Sequence, residues 1–113
     1  MSIPVTIEQL PARLDDYGND CFLITVGSDG TPKVVHVPVA MEGREIRCTP
    51  GGGTLRNLAT GGPVTLIFPP PGVGAHSMLI DGTGSVVAAD EPTEIAISFD
   101  SGILHRPPSS LGC

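Results

Sequence analysis

Ile7, Leu10, Leu14 and Tyr17 recur at the three- and four-residue spacing of one helix face. Thr6 with Gln9 makes a capping box, and Val5 with Leu10 can staple the helix start. The pattern predicts a helix within residues 6–17, stopped by Gly18. Pro11 has no backbone N–H to give, which moves the regular start toward Leu10. From Cys21 the period changes. Cys21-Phe22-Leu23-Ile24-Thr25-Val26 is an apolar, β-prone run that ends at the hairpin signal Ser28-Asp29-Gly30. A returning strand over 32–40, the tight turn Glu42-Gly43 and a shorter, more polar strand over 44–49 complete a meander. Strands are also expected over 64–68, closed by Pro69-Pro70-Pro71-Gly72, over 77–88 and over 94–99. Gly82 and Gly84 inside the fifth strand mark a bulge or sharp coil. Between strands three and four, Pro50-Gly51-Gly52-Gly53 leads into Thr54-Leu55-Arg56-Asn57-Leu58, a short helix with Thr54 expected as N-cap and Gly61 as C-cap. Six β segments with one N-terminal helix and one short inserted helix predict a mainly β fold, a six-stranded antiparallel barrel.

The 113 residues allow one domain, expected over 1–108, with 109–113 as a mobile tail. Gly 15 and Pro 12 approach a low-complexity share, but 40% apolar residues place them as turn chemistry rather than disorder. A formal charge of −6 repels phosphodiester backbones and anionic lipid, so neither nucleic acid nor a membrane is expected as partner. With no apolar run of spanning length and no basic region before an apolar stretch in MSIPVTIEQL, a cytoplasmic location is expected.

Cys21, Cys48 and Cys113 lack metal-ligand spacing and are odd in number, which excludes a disulfide framework and reads as two packed hydrophobes and a tail thiol. His36, His76 and His105 show no i, i+4 pair, so no metal site is expected. No Gly-x-Ser-x-Gly elbow occurs, and a thiol in an apolar strand is a poor nucleophile. Asp81 before Gly82 reads as a bulge residue, and His76 as a loop residue. Two features could carry chemistry. The glycine-rich loop before Thr54 presents backbone N–H groups at a helix start, where an anion could bind. His36 shares a strand face with Val34, Pro38 and Ala40, and an imidazole exchanges protons near neutral pH. A histidine packed or hydrogen-bonded at an interface is the simpler account of His36, because no second catalytic partner accompanies it.

Phe22-Leu23-Ile24-Thr25-Val26 before Asp29-Gly30-Thr31-Pro32, then Thr54-Leu55-Arg56-Asn57-Leu58, Leu79-Ile80-Asp81-Gly82-Thr83-Gly84 and Ile103-Leu104-His105-Arg106-Pro107 fall in the order seen in the pyridoxamine 5'-phosphate oxidase-like family. The chain resembles its small actinobacterial-type members. The resemblance implies a six-stranded split β-barrel that forms a homodimer, with FMN or, in a related branch, a deazaflavin at the dimer interface, and oxidoreductase activity on a small molecule. The matching cofactor positions are His36, Pro38, Arg47, Thr49, Gly53, Thr54, Arg56 and Asn57. Relatives usually carry basic side chains in the loop that is glycine here, leaving Arg56 and Arg47 as the nearby cations. The alternatives are a cofactor-free split-barrel dimer serving as a binding or structural module, and a deazaflavin-dependent reductase.

Overall fold

The computed structural model describes residues 2–88, 90 and 92–108, so the expected tail 109–113, with Cys113, lies outside the described residues. In chain order the elements are β1 (Ser2–Val5), α1 (Leu10–Tyr17), β2 (Asp20–Val26), β3 (Pro32–Pro38), β4 (Ala40–Glu42), β5 (Glu45–Cys48), α2 (Gly52–Asn57), β6 (Gly62–Phe68), β7 (Ser77–Val86) and β8 (Ile95–His105).

The strands form one curled antiparallel half-barrel in the order β3-β2-β6-β7-β8-β5-β4, with β1 also on β8. The sheet therefore has eight strands rather than the expected six. The two additions have separate causes. Expected strand 32–40 is two strands, because Pro38 has no N–H to continue a ladder. Past it, Val39 donates its N–H to the Asn19 carbonyl at 2.9 Å and accepts the Asn19 side-chain amide at 2.9 Å. Residues 40–42 then leave β2 and pair with β5. The other addition, β1, is too short to show a period. It is held because β8 runs on to His105, beyond the expected end at Phe99, and offers an edge to Ser2–Val5. β5 occupies the other half of that edge, from Ser98 to Ile95.

Alternation fills the concave side: Leu23, Leu66, Ile80 and Ile97 are fully buried there, with Phe68 and Met78. Each such side chain contributes about 1.5–3 kcal/mol by leaving water. Leu10 and Leu14 of α1 join the same core. The Thr6–Gln9 box forms reciprocally, at 3.1 and 3.3 Å, but it closes a turn ahead of the helix, and the regular helix starts at Leu10 with Pro11 in its first turn. Gly18, at φ +80°, ends it by donating its N–H to the Leu14 carbonyl at 2.8 Å. The expected bulge lies where the β7–β8 register shifts between Asp81 and Gly82. A Cβ on Gly82 would run into the Ser98 carbonyl oxygen, so only glycine lets the two strands close there.

Candidate functional site

Helix α2 starts three residues before its expected position, with Gly51 rather than Thr54 as N-cap and no side-chain cap. Thr54 thus lies within the helix, 1% exposed, its Oγ1 enclosed and without a hydrogen-bond partner among the described residues. The helix ends at Asn57, short of Gly61, and six residues build little macrodipole. Asn57 ties it to the sheet by donating its side-chain amide to Thr25 Oγ1 at 3.0 Å. Thr25 faces the core side, directly opposite Lys33 of β3.

That register brings in a cation the sequence reading missed. A Cβ on Gly53 would sit 2.6 Å from Lys33 Cε and 3.1 Å from Nζ, so the lysine chain rests against the bare backbone of Gly53. Lys33, Gly53, Arg56 and Asn57 line a polar recess of about 370 Å³, completed by Gly27, Asp29, Thr31 and Pro32. Neither Lys33 nor Arg56 has a carboxylate partner among the described residues, whereas Arg44 is paired with Glu8 and Arg47 with three glutamates. The one carboxylate on the wall, Asp29, accepts the Thr31 N–H at 3.0 Å, which lowers its pKa and keeps it charged. The sequence signal for Lys33 was its place just beyond the Asp29-Gly30 turn, opposite a β2 residue that α2 would grip.

The other matched positions lie elsewhere. Pro38, Arg47 and Thr49 line a second recess with Glu42, Cys48 and Glu94. Arg47 reaches Glu45 at 2.9 Å, Glu94 at 3.1 Å and Glu42 at 3.5 Å, and these partners, hydrogen-bonded Glu45 foremost, raise its pKa. One guanidinium against three carboxylates leaves that recess negative. His36 projects from the convex side of β3, its Nε2 3.8 Å from Asp20 Oδ1 and its ring tilted on Phe22 with centroids 5.3 Å apart. The structure therefore brings Gly53, Arg56 and Asn57 together, encloses Thr54 beneath them, and sets His36 and the Arg47 group apart.

A third recess, of about 320 Å³, opens on the other side of Arg56, lined by Gly52, Leu55, Ala59, Val86 and Pro92. Burial pushes the Cys21 thiol up to about 12 and Cys48 to about 11, so both are inert packed residues. Asp81 accepts the Thr65 hydroxyl beside the bulge. His76 is more enclosed than a loop residue need be. Its carbonyl accepts the Tyr17 hydroxyl at 2.8 Å, and Arg106 donates to the Gly74 carbonyl at 2.9 Å, so α1 and the end of β8 both hold the β6–β7 loop.

Among the described residues no group of three potential metal ligands occurs, and no helix is long and apolar enough to cross a membrane. No protein-family profile matches the sequence, and no curated protein matches it. Among solved structures, the chain is similar to the FAD binding protein from Mycobacterium smegmatis, with a TM-score of 0.69 and 12% sequence identity over 94% of this chain and 100% of that one. At that identity the likeness is one of fold, and it spans both chains almost end to end.

Proposed function

We propose that the protein is a flavin-binding oxidoreductase of the split-barrel type, with FMN as its first-choice cofactor. The observation that carries this reading is the convergence of Lys33 and Arg56, both without a carboxylate partner among the described residues, on one polar recess that Gly53 also lines. Two cations on one polar recess, with Lys33 laid over the bare backbone of Gly53, fit one phosphate group. The fold it shares with an FAD-binding protein supports the same cofactor class. Arg47, with its three glutamates, contributes no free charge to an anion.

When bound, the flavin ring supplies electron transfer to or from a small substrate. The chain supplies position: Lys33 and Arg56 hold the phosphate, and Asn57 fixes α2 on β2 so that Arg56 stays aimed. On edge strand β3 His36 stands three residues from Lys33, about 10 Å at the rise of a strand and on the opposite face, so a ring would reach it by passing round that edge. There the Phe22–His36 pair offers an aromatic surface. The protein works as a homodimer, with the ligand at the interface.

Titration with FMN tests this by flavin fluorescence quenching, with visible spectra of the purified protein alongside. Binding in the micromolar range, on the order of 8 kcal/mol, is expected. Lys33→Gln should weaken it about tenfold or more, the range for a hydrogen bond to a charged group. FAD and a deazaflavin serve as competitors, each expected to bind more weakly: FAD spreads its two charges over a diphosphate that also carries adenosine, and a deazaflavin brings an acidic tail that two cations cannot match. Absence of quenching by a folded protein would leave the cofactor-free module, the reading that Asp29 on the recess wall favours.

A further inference from the structure

We propose that the recess between α2 and the β7–β8 connection is a second ligand site, one that takes a small apolar monocarboxylic acid. Leu55 and Val86 both pack against the core from its edge. The N–H of Val87 donates to the Glu94 carbonyl at 3.0 Å and closes the base of the connection that carries Pro92. Leu55 and Ala59, four residues apart, present the same stripe of the α2 segment.

The lining selects the chemistry. Leu55, Ala59, Val86 and Pro92 bring no side-chain hydrogen-bonding group, so the body of the ligand must be apolar. A volume of about 320 Å³ is about twice the roughly 150 Å³ of a cavity that holds benzene, room for one six-membered ring with a substituent. Among the described residues of the wall, Arg56 is the one that carries a charge. Its guanidinium stands beside Gly52, with Nη1 3.5 Å from where a Cβ would be, and has no carboxylate partner among the described residues. A planar guanidinium at the rim of an apolar recess matches a carboxylate through two parallel hydrogen bonds. Charge count separates this ligand from a phosphate. A dianion is drawn to the polar recess, where Lys33 adds a second cation, and a monoanion with an apolar body is satisfied by Arg56 alone.

Benzoate, with benzyl alcohol as its neutral counterpart, is the probe, followed through the methyl signals of Leu55, Ala59 and Val86 by NMR. Benzoate should shift these signals saturably and bind at least tenfold more tightly than benzyl alcohol. Arg56→Gln should remove that preference and leave the alcohol unchanged, Ala59→Leu should weaken both by filling the recess, and Lys33→Gln should affect neither. The amide spectrum of each variant reports whether it is folded. Equal binding of acid and alcohol, a benzoate affinity indifferent to Arg56→Gln in a folded protein, or no saturable shift overturns the proposal. The flavin reading fails separately, by FMN binding that is absent or insensitive to Lys33→Gln, and neither result alters the benzoate measurement.

Discussion

Gly53 shows how an absent side chain can place a charge. Its missing Cβ is the space Lys33 occupies, and the clash that Gly53→Ala would create, 2.6 Å to Cε, falls on the far end of a flexible chain. The lysine can swing away at little cost to folding. The variant should therefore keep its melting temperature and lose several-fold in FMN affinity, approaching Lys33→Gln; a full retention of affinity would show that the lysine's position on Gly53 does not matter. His76 is a different kind of residue effect. Its Nε2 is enclosed without a partner among the described residues, and burial, with Arg106 and His105 nearby, lowers its pKa from the ordinary 6.5. In the unfolded chain the imidazole gains its proton as pH falls through about 6.5, whereas the folded chain resists protonation to lower pH. Stability should therefore decline below about pH 6.5 and stop declining once pH passes the folded value. Urea midpoints at pH 7 and pH 5.5 check this: His76→Gln should show a smaller drop than the parent, and equal drops would place the acid sensitivity elsewhere. Glu8 and Asp29, whose pKa values are lowered by hydrogen bonds to backbone N–H groups, act in the same sense but in a more acid window. Their stabilisation is lost only as pH falls past ordinary values of 4.5 and 3.8.

The elements divide by whether local chemistry or a distant partner determines them. Helix α1 was legible because its box, its proline and its terminal glycine all act within one turn of the chain, and the bulge was legible because glycine in a long strand needs a reason. Strand β1 was not legible, since four residues carry no period and their ladder depends on an edge provided by the end of β8. Helix α2 was half legible. Its existence followed from the sequence, but Thr54 was assigned the cap on residue type, while the helix begins earlier and buries the hydroxyl. That displacement changes what Thr54 does. A buried hydroxyl without a partner costs about 1–3 kcal/mol, and valine has nearly the same shape and helix preference. Thr54→Val should then leave FMN binding intact and raise stability, by about 1 kcal/mol in chemical denaturation. A loss of affinity with stability unchanged would instead restore the hydroxyl as a ligand contact. The candidate site was legible in the same uneven way: Gly53, Arg56 and Asn57 lie within one short segment, but Lys33 joins them only through the β2–β3 register.

Across the whole sheet, the convex face is unlike the exposed face of an ordinary antiparallel sheet, which alternates to polar residues. Following the registers from strand to strand, one row reads His36, Phe22, Ile67, Leu79, Ile103 and Pro4. The next row adds Val34 and Ile24, and Phe22, Val26 and Val34 are 39%, 45% and 57% exposed. A two-fold interface sets each patch against a copy of itself, so every charge in it meets a like charge. With a net charge of −6, self-association is favoured through an apolar strip, and the first row supplies one, bordered by Asp20 beside His36 and by Asp81, where the Val34–Ile24 row continues through Thr65. A standard interface of about 800 Å² per partner would take roughly an eighth of the 6411 Å² surface. Light scattering at tens of micromolar should accordingly give twice the 11.6 kDa chain mass. Val34→Asp places two carboxylates near the two-fold contact while altering a side chain already more than half exposed, so it should yield a folded monomer with an unchanged far-UV spectrum. If the ring of the flavin lies at that interface, the same variant should also weaken FMN binding, whereas phosphate contacts at Lys33 and Arg56 persist in each chain alone. A monomeric parent, or a Val34→Asp variant that still dimerises, would move the interface off this face and the ring with it.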